Sequence, residues 1–447
     1  MNNVIILAAG KGKRMQNLLP KCLNKIIDKC VIDYLILELN KIKFDQKICV
    51  VNSSNNLIQE HLKDEFIYAY QEEQLGTANA VKACLNLIDD EGYSVILCAD
   101  TPLVSSDILN KLISNHLKSN NDLTFLTTMI DNPHGYGRII RKKRKIKIVE
   151  QKDCNYKQDL IKEVNLGIYC INNRYLKYLN NINNDNNSKE YYFPDIIKFL
   201  NKVEALKVEY SYNLEGFNDL RQLCELELNL KKAINLSHLS KGVRIIDPVT
   251  TTIGRDVVIE PNVIIYPNCY IIGKSIIKTG AIIKNNSTIE NSYIGSNTIV
   301  SNSVIENSKI LDDCQIGPFA HIRNESIINN NVRIGNYVEV KKSIIGNNTK
   351  AAHLTYLGNV KCGKNVNFGA GVISANYDGK HKFSTTIGDN VFVGSNANLI
   401  APIEIGSNSF IACGSTITDS IADYDMAIAR SRQVTKRSYM KDKKELE

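Results

Sequence analysis

The chain has 447 residues and a mass of 50.2 kDa, which is too long for one ordinary hydrophobic core and predicts two or three domains. The formal net charge is +8, and residues 1–230 carry almost none of it, with 30 basic and 29 acidic side chains. The segment from Arg430 to the end holds seven basic and three acidic side chains. Because no basic face accompanies a recognised nucleic-acid-binding module, we expect no nucleic-acid partner.

Twelve cysteines are scattered singly along the chain, with no CxxC pair and no ligand-like spacing to the seven histidines. This pattern favours reduced thiols in a cytoplasmic protein over a disulfide framework or a zinc site. The N-terminus lacks a basic region before its short apolar stretch, and no run approaches the roughly 18 apolar residues of a membrane helix. We therefore expect a soluble protein without a membrane partner. The abundance of Asn, Lys and Ile is interpreted as compositional bias.

The first half of the chain alternates short aliphatic strands with amphipathic helices, as in VIILAA, CVIDYLILELNKI and KICVV. Apolar strands followed by helical patterns predict a parallel sheet covered on both faces, a doubly wound α/β domain. Ligands of such sheets bind beyond the carboxyl ends of the strands. The basic run RKKRKIK (141–147) is interpreted as a solvated hairpin turn, with a docking patch as the alternative. Leucines at helical spacing predict a connecting helix over 220–236.

From Ile253 onward, aliphatic residues recur every six positions in three phased runs. The positions are Ile253, Ile259, Ile265, Ile271, Ile277, Ile283 and Ile289; Val304, Ile310, Ile316, Ile322, Ile328, Ile334 and Val340; and Ile387, Val393, Leu399, Ile405, Ile411 and Ile417. This period predicts a parallel β-helix with one inward aliphatic residue per strand, and a sandwich with accidental phasing is the alternative. The interruption SANYDGKHKFSTT predicts an extruded loop, a place where sites are often built.

A glycine-rich basic turn, GKGKRM (10–15), follows the opening strand directly. It matches neither the dinucleotide fingerprint nor the Walker A pattern. A turn of this kind brings backbone N–H groups and cations to a phosphate. On this motif alone, a plain turn explains the sequence equally well.

Further motifs follow that turn in a fixed order: LPK (19–21), QLGTANA (74–80), ADTPL (99–103), GYGRI (135–139), IVEQKD (148–153), NLGI (165–168) and EGFND (215–219). The series resembles the sugar-1-phosphate nucleotidylyltransferases. Joined to a hexapeptide β-helix of this length, nearly the whole chain is similar to bifunctional bacterial enzymes that acetylate glucosamine 1-phosphate and then uridylylate the product. The resemblance implies a Rossmann-like uridylyltransferase domain (1–220), a helical linker (221–241) and a left-handed hexapeptide-repeat acetyltransferase domain (242–447).

By this resemblance, the N-terminal domain joins UTP to N-acetylglucosamine 1-phosphate with magnesium as cofactor. The implied catalytic cations are Arg14 and Lys21, and the implied magnesium ligands are Asp100 and Asn218, both hard oxygen donors. The implied nucleotide and sugar-nucleotide contacts are Leu7, Ala8, Ala9, Gly10, Lys21, Gln71, Gly76, Thr77, Cys98, Ala99, Asp100, Gly137, Glu150, Asn165 and Asn218.

Several of these positions have a competing explanation or depart from the family pattern. Asp100 is alternatively a helix N-cap, and Glu150 a surface ion-pair partner of the nearby basic run. Cys98 stands where the family commonly has an aromatic residue, and Leu166 where it usually has Thr. We expect both departures to affect affinity more than chemistry.

The resemblance also implies that the β-helix transfers an acetyl group from acetyl-CoA to glucosamine 1-phosphate. His353 matches the catalytic base, and Glu339 is expected to orient its imidazole; a structural histidine is the alternative. The implied glucosamine 1-phosphate contacts are Arg323, Lys341, Tyr356 and Asn367, and the implied acetyl-CoA contacts are Ala370, Asn376, Tyr377, Ser395, Cys413 and Arg430. His381 and Lys382 either approach coenzyme phosphates or form a solvated loop tip.

The family assembles as a homotrimer in which loop and tail complete a neighbour's acetyl site, so we expect the same here. Two other functions remain open at this point. One is a nucleotidylyltransferase for another nucleotide or hexose, such as an ADP-glucose or dTDP-glucose synthase with a β-helical tail. The other is a non-catalytic scaffold built from the same two folds.

Overall fold

The computed structural model describes residues 1–10, 12–16, 19–142 and 145–444. They divide into two compact units, Met1–Asn229 and Leu230–Glu447. Within the described residues, no helix combines the length and apolar character that crossing a bilayer requires.

The first unit is built from short strands and helices that alternate along the chain. Its strands are β1 (Asn3–Leu7), β2 (Lys25–Ile26), β3 (Lys29–Cys30), β4 (Gln46–Asn52), β5 (Ile67–Gln71), β6 (Tyr93–Cys98), β7 (Leu123–Met129), β8 (Arg138–Lys142), β9 (Lys145–Val149), β10 (Glu163–Asn172) and β11 (Val203–Lys207). Its α-helices are α1 (Val31–Leu39), α2 (Leu57–Leu62), α3 (Thr77–Lys82), α4 (Ser106–Ser119) and α5 (Tyr156–Asp159), and the longer α6 (Leu220–Ser240) follows. Short 3-10 helices cover Lys13–Met15, Lys21–Leu23, Lys63–Glu65, Leu85–Leu87, Gln151–Asp153, Asn173–Asn181, Phe193–Phe199 and Tyr212–Leu214.

The main sheet of this unit has the order β11-β7-β10-β6-β1-β4-β5, with the β8–β9 hairpin paired to β10. Parallel pairs join β1 to β4 and β6, β4 to β5, and β7 to β11. The predicted doubly wound fold is confirmed, but the sheet is mixed, because β10 pairs antiparallel with β6 and β7. Strand β10 follows the β8–β9 hairpin and the four-residue α5 in the chain. Most of the parallel strands follow a longer helix, which makes the crossover that a parallel connection needs.

The hydrophobic core lies on both faces of this sheet. In β1, Val4 and Ile6 pack into one apolar cluster with side chains of α1 and α4, while Ile5 packs into a second cluster with α3. Both faces are covered, so successive strand residues are all apolar, as the sequence indicated. Loops at the carboxyl ends of the strands are therefore the places left for polar sites.

The basic run predicted as a hairpin turn lies on β8 and β9, which pair antiparallel from Arg138–Val149 to Lys142–Lys145. Residues 143 and 144 of the run lie outside the described residues. The Arg141 guanidinium pairs with the Glu163 carboxylate at 2.6 Å. The helix predicted over 220–236 is α6, which extends to Ser240.

The second unit consists of three parallel sheets that the chain visits in turn. The first sheet contains Arg244–Ile245, Ile264–Ile265, Ile282–Ile283, Ile299–Val300, Gln315–Ile316, Arg333–Asn336, Lys350–His353, Asn367–Phe368, Phe392–Val393, Phe410–Ile411 and Met426–Ala427. The second contains Thr252–Ile253, Tyr270–Ile272, Thr288–Glu290, Val304–Glu306, His321–Arg323, Glu339–Lys341, Tyr356–Gly358, Ile373–Ala375, Asn398–Ile400 and Thr416–Ile417. The third contains Val258–Ile259, Ile276–Ile277, Tyr293–Ile294, Lys309–Ile310, Ile327–Ile328, Ile344–Ile345, Val360–Cys362, Thr385–Ile387 and Ile403–Ile405. The terminal helix α7 spans Tyr439–Lys444.

The inward aliphatic residues of this β-helix form one continuous core. The predicted period of six is confirmed at nineteen of the twenty positions, which are all buried. Val304 is the exception: Ile305 is buried in its place, and Ile289 pairs with Ile305, sixteen residues further on. The step between buried residues is five instead of six from Ile289 to Ile294, from Val300 to Ile305 and from Ile305 to Ile310. These shortened corners shift the phase, which a strict period of six does not allow for.

Many corners of the coil are occupied by asparagine in the left-handed conformation. Positive φ is found at Asn262, Asn268, Asn286, Asn291, Asn297, Asn302, Asn307, Asn324, Asn331, Asn348, Asn359, Asn365, Asn390, Asn396 and Asn408. Asparagine tolerates this conformation better than most side chains. The asparagine abundance interpreted as compositional bias therefore has a structural use.

One edge carries a ladder of stacked amides. Asn331 donates to Asn348 at 2.8 Å, Asn348 to Asn365 at 3.1 Å, Asn365 to Asn390 at 2.9 Å, and Asn390 to Asn408 at 3.0 Å. Stacked asparagines of this kind are typical of parallel in-register strands. The ladder ties successive coils together outside the hydrophobic core.

Replacing Asn365 separates two contributions to stability, the amide hydrogen bonds of the ladder and the tolerance of asparagine for positive φ. Asn365→Gly loses the amide bonds but keeps a residue suited to φ of 58°, whereas Asn365→Val also introduces a side chain that resists that conformation. We expect the valine variant to be about 1–2 kcal/mol less stable than the glycine variant. The measurement is the temperature at which the β-sheet circular-dichroism signal is lost. Equal temperatures for the two variants would contradict the conformational explanation.

Candidate active sites

The first candidate site is a cleft of about 580 Å³ at the carboxyl ends of β1 and β6. The main chain continues the sheet there, since Ala8 N–H donates to Val50 O and Ala99 N–H donates to Leu7 O. The predicted nucleotide residues that line the cleft are Leu7, Ala8, Ala9, Gly10, Arg14, Lys21, Gln71, Gly76, Thr77, Cys98, Ala99, Asp100 and Asn218. Lys11 of the predicted phosphate turn lies outside the described residues.

One wall of this cleft is fixed by the turn into α3. Gly76 has φ of +116°, and a Cβ atom there would lie 2.5 Å from the Tyr191 carbonyl oxygen, so only glycine fits. The Gln71 amide donates to Asn79 Oδ1 at 2.7 Å and to the Gly76 carbonyl at 3.3 Å. Thr77 Oγ1 accepts from Phe193 N–H at 2.9 Å. These bonds hold the predicted base-recognition residues in place.

At the floor of the cleft, two oxygen atoms converge on one ammonium group. Lys21 Nζ lies 2.5 Å from Asp100 Oδ2 and 3.4 Å from Asn218 Oδ1. The Arg14 guanidinium donates to the same Asn218 oxygen at 3.3 Å. Phe217 lies beneath Lys21, with the ammonium 4.9 Å from the ring centroid. Arg14, Lys21, Asp100 and Asn218, which belong to four separate sequence motifs, thus meet at one point.

These oxygen atoms fit a magnesium ion. A carboxylate and an amide oxygen that both reach one cation supply the hard donors magnesium prefers, and water and phosphate oxygens complete its octahedron. Asp100 and Asn218 are the residues that would hold the ion, and Lys21 would then be free to pair with phosphate. The alternative of Asp100 as a helix N-cap does not describe α4, whose N-cap is Ser105.

A second cavity, of about 220 Å³, adjoins the first. It is lined by the predicted sugar-binding residues Gly137, Glu150 and Asn165, and by Leu166. Leu7, Thr77, Cys98, Asp100 and Asn218 line both cavities. The Asp100–Asn218 pair therefore stands where a ligand in one cavity would meet a ligand in the other.

Glu150 lines this second cavity, and its pKa is raised. Burial, followed by the neighbouring carboxylates of Asp153, Asp195 and Glu190, raises its pKa to about 7. Gly137 packs against it so closely that a Cβ atom would lie 3.1 Å from Glu150 Oε1. The alternative of Glu150 as a surface ion-pair partner does not fit this environment.

Asn165 is held by its neighbours on β10. Its amide donates to the Tyr169 hydroxyl at 2.6 Å, and its Oδ1 accepts from Gly167 N–H at 3.2 Å. Leu166 is buried in the core beneath the cavity, so its departure from the family pattern extends the apolar floor. Cys98 has its pKa raised to about 12 by burial and by Asp100, and it presents a neutral thiol to both cavities.

The second candidate site lies along the corner between the first and second sheets of the β-helix. Successive coils bond there from Gly371 N–H to His353 O, from Asn396 N–H to Ala370 O, and from Gly414 N–H to Ser395 O. Arg430 Cδ lies 4.0 Å from a Cβ atom built on Gly414. We call the aligned positions His353, Ala370, Ser395 and Cys413, together with the adjacent Arg430, the His353 column. Four of the six predicted acetyl-CoA contacts lie in it.

His353 is exposed at one end of this column, and its ring is positioned by a residue that the sequence did not single out. His353 Nδ1 lies 2.8 Å from Asn336 Oδ1. An amide oxygen only accepts, so the ring proton sits on Nδ1 and Nε2 keeps its lone pair. The parallel register that pairs Asn336 with His353 would have identified this partner once the coil length was known.

Glu339 does not make the contact predicted for it. Its carboxylate accepts from Arg323 Nη2 at 2.6 Å and Nε at 3.0 Å, and the described partner of the His353 ring is Asn336. In register, Glu339 stands opposite Tyr356 and His321 on the second sheet, whereas His353 ends a strand of the first. Within one chain, Glu339 is therefore the ion-pair partner of Arg323.

Cations cluster at the carboxyl ends of the second-sheet strands, away from the corner that holds His353. Arg323 and Lys341 are register partners, and the ammonium of Lys382 beside Lys341, followed by Arg323, lowers the Lys341 pKa. We call Arg323, Lys341 and Lys382 the cation corner. Glu339 neutralises only part of this charge, so the corner attracts an anion. Lys382 thus joins two predicted phosphate contacts and is not an isolated loop tip.

The extruded loop begins at this corner as a small hairpin. Asn376 Nδ2 donates to Asn359 Oδ1 at 2.8 Å, and Tyr377 bridges to Lys382. Val360 pairs with Thr385, twenty-five residues on, whereas Thr385 pairs with Ile403, eighteen residues on, so the loop is an insertion into one coil. Asn376 and Tyr377 therefore stand beside the cation corner and not in the His353 column.

Tyr356 and Asn367 occupy different sheets. Tyr356 lies on the second sheet, in register with Glu339, while Asn367 lies on the first, in register with Lys350. One chain thus distributes the predicted glucosamine 1-phosphate contacts over two faces of the coil.

Comparisons with known proteins match both units. A Nucleotidyl transferase family model matches residues 3–226, and the Bacterial transferase hexapeptide (six repeats) model matches residues 307–342 and 384–419. The chain is similar to "Bifunctional protein GlmU" of Listeria monocytogenes (42% identity over 98% of this chain and 97% of the relative) and of Clostridioides difficile (43%, with the same coverage). The Acetivibrio thermocellus protein of that name is 42% identical over 98% of this chain and 96% of its own.

The raised pKa of Glu150 predicts a pH-dependent stability difference. Below its ordinary pKa of 4.5, the carboxyl group is neutral in both the folded and the unfolded chain. Between pH 4.5 and about 7, the unfolded carboxyl ionises while the folded one stays protonated, so folding stability falls across this window and levels off above it. Glu150→Gln should therefore match the parent in thermal midpoint at pH 4 and exceed it at pH 8.

Glu73→Gln, at an exposed carboxylate, is the matched control and should leave the midpoint unchanged at both pH values. An equal difference between Glu150→Gln and the parent at pH 4 and pH 8 would contradict the assignment.

Proposed function

The chain belongs to the GlmU family of bifunctional proteins, and we propose that its two units catalyse consecutive transfers. The β-helix transfers an acetyl group from acetyl-CoA to glucosamine 1-phosphate. The N-terminal unit then transfers a uridylyl group from UTP to N-acetylglucosamine 1-phosphate and releases pyrophosphate. The observation that carries the second assignment is the convergence of Asp100, Asn218 and Lys21 at the junction of two cavities.

Uridylyl transfer forms a bond from a sugar-phosphate oxygen to the α-phosphorus of UTP and breaks the bond to the β-phosphate. The chain's contribution is to bring two anions together in line. UTP fits the larger cavity, and the sugar fits the smaller one beside Glu150 and Asn165. Arg14 and Lys21 pair with phosphate oxygens, and magnesium, when bound at Asp100 and Asn218, neutralises further phosphate charge.

Acetyl transfer needs a base, an anion site and a place for the coenzyme. The amine of glucosamine 1-phosphate attacks the thioester carbonyl, and the carbon–sulfur bond breaks to release the coenzyme thiol. His353 Nε2 takes the amine proton and returns it to the leaving thiolate. The cation corner binds the sugar phosphate, and the His353 column supports the coenzyme.

We propose a homotrimer because each chain carries incomplete parts of the acetyl site. The cation corner lies at the carboxyl ends of second-sheet strands, away from the corner that holds the His353 column, and Asn367 lies on the first sheet. A neighbouring copy that presents its hairpin with Asn376 and Tyr377 would complete the coenzyme site.

The twelve free cysteines support a reducing, cytoplasmic location.

Of the two other functions, neither is favoured by the site. A scaffold function does not explain why Lys21, Asp100 and Asn218 converge. A nucleotidylyltransferase of other specificity does not explain the His353 column. The coenzyme and the amine acceptor account for that column, and the cation corner accounts for the acceptor's phosphate.

Two substitutions test whether the activities are independent. His353→Ala should lower acetyl transfer by about 10²–10⁴-fold, because the proton acceptor is lost. Asp100→Ala should lower uridylyl transfer at least about tenfold, because the oxygen ligand is lost. Thiol release and pyrophosphate release are measured separately on each variant. Loss of both activities in either folded variant would contradict two independent sites.

Asn336 is tested through the pH profile of acetyl transfer. Asn336→Asp places a carboxylate beside the His353 ring, which favours the protonated imidazole. The base is then protonated up to a higher pH, so the acid limb of the rate profile should move upward. An unchanged limb would show that Asn336 does not contact the working imidazole. Asn348→Asp, on the distant ladder, is the control.

A further inference from the structure

A cluster of three metal-ligating side chains lies in the first unit, outside both candidate sites. Cys30 ends β3, Asp33 lies in the first turn of α1, and His61 lies in α2. Their ligand atoms all lie within 4.8 Å of one another. His61 Nε2 is 2.6 Å from Asp33 Oδ1. Cys30 and His61 are thirty-one residues apart in sequence, so the fold alone brings them together.

The donor set matches zinc. Thiolate, imidazole and carboxylate bond zinc at about 2.0–2.3 Å, which places tetrahedral ligand atoms roughly 3–4 Å apart. The His61–Asp33 separation of 2.6 Å is shorter than that range, and no separation in the cluster exceeds 4.8 Å, so small side-chain movements would admit the ion. A thiolate and a carboxylate each carry one negative charge, so together they neutralise a divalent cation, and the imidazole ligand is neutral.

A backbone hydrogen bond orients one ligand of the cluster, and two of its side chains are open to solvent. Asp33 Oδ2 accepts from Cys30 N–H at 3.0 Å, and this bond leaves Oδ1 directed to His61. Such an outer bond orients a ligating carboxylate. Cys30 is buried, while the side chains of Asp33 and His61 are about one-third exposed, so an ion has access and a water molecule can supply a fourth ligand.

We propose that Cys30, Asp33 and His61 bind one zinc ion, which links the start of α1 to α2. The site is independent of the two proposed reactions, since none of its residues lines either cavity or belongs to the β-helix. The spacing of cysteines and histidines argued against a zinc site, but spacing cannot detect ligands contributed by three separate elements.

The test uses Co²⁺ as a spectroscopic probe on the reduced full-length chain, with excess Mg²⁺ to occupy the Asp100 site. One equivalent of Co²⁺ should give a near-ultraviolet thiolate-to-cobalt band and the visible bands of tetrahedral cobalt, and Zn²⁺ should abolish both. Cys30→Ser should remove the thiolate band. His61→Gln should weaken binding by more than the roughly 10–100-fold caused by loss of an outer-shell partner.

Cys224→Ser, at an exposed cysteine on α6, is the matched control and should keep the spectrum. Circular dichroism and uridylyl transfer establish that each variant is folded. His61→Gln alters a partly exposed side chain, so it remains informative if Cys30→Ser fails to fold. Absence of the thiolate band in the parent chain, its persistence in folded Cys30→Ser, or undiminished affinity in His61→Gln would overturn the proposal.

Discussion

Parallel strand pairing in register is the constraint on which both units depend. In the first unit, it brings the carboxyl ends of β1 and β6 together, so that Leu7–Gly10 and Cys98–Asp100 face one cleft. In the second, it stacks residues from successive coils, so that His353, Ala370, Ser395 and Cys413 align although about twenty residues separate each from the next. A slip of one residue would reverse the side chains and dismantle either site.

The two units use this constraint for different kinds of chemistry. The N-terminal cleft gathers opposite charges at one point, where Lys21 is paired with Asp100. The β-helix instead separates the cations Arg323 and Lys341, at the carboxyl ends of second-sheet strands, from His353, which ends a first-sheet strand. The predicted residues of the first site converge within one chain, whereas those of the second are spread over two sheets.

Periodicity predicted the architecture, because it is a property of consecutive residues, and the family resemblance carried by the ordered motifs implied most of the residues that line the cleft and the His353 column. The period of six located the inward residues except at Val304, where neighbouring corners are one residue shorter and Ile305 turns inward. Side-chain partners were harder to predict: Glu339 pairs with Arg323, and Asn336 contacts His353. These contacts depend on coil length and rotamer, which neighbouring sequence does not encode. The left-handed asparagines were missed because composition was considered without position.

If register assembles two separate ligand sites, each ligand should protect its own set of aligned residues from hydrogen exchange measured peptide by peptide. Coenzyme A should slow exchange together at 370–371, 395–396, 413–414 and 430, and leave 7–10, 71–77 and 98–100 unchanged. UTP with Mg²⁺ should give the reverse pattern. Protection by coenzyme A at a single coil, or in the N-terminal cleft, would contradict the account.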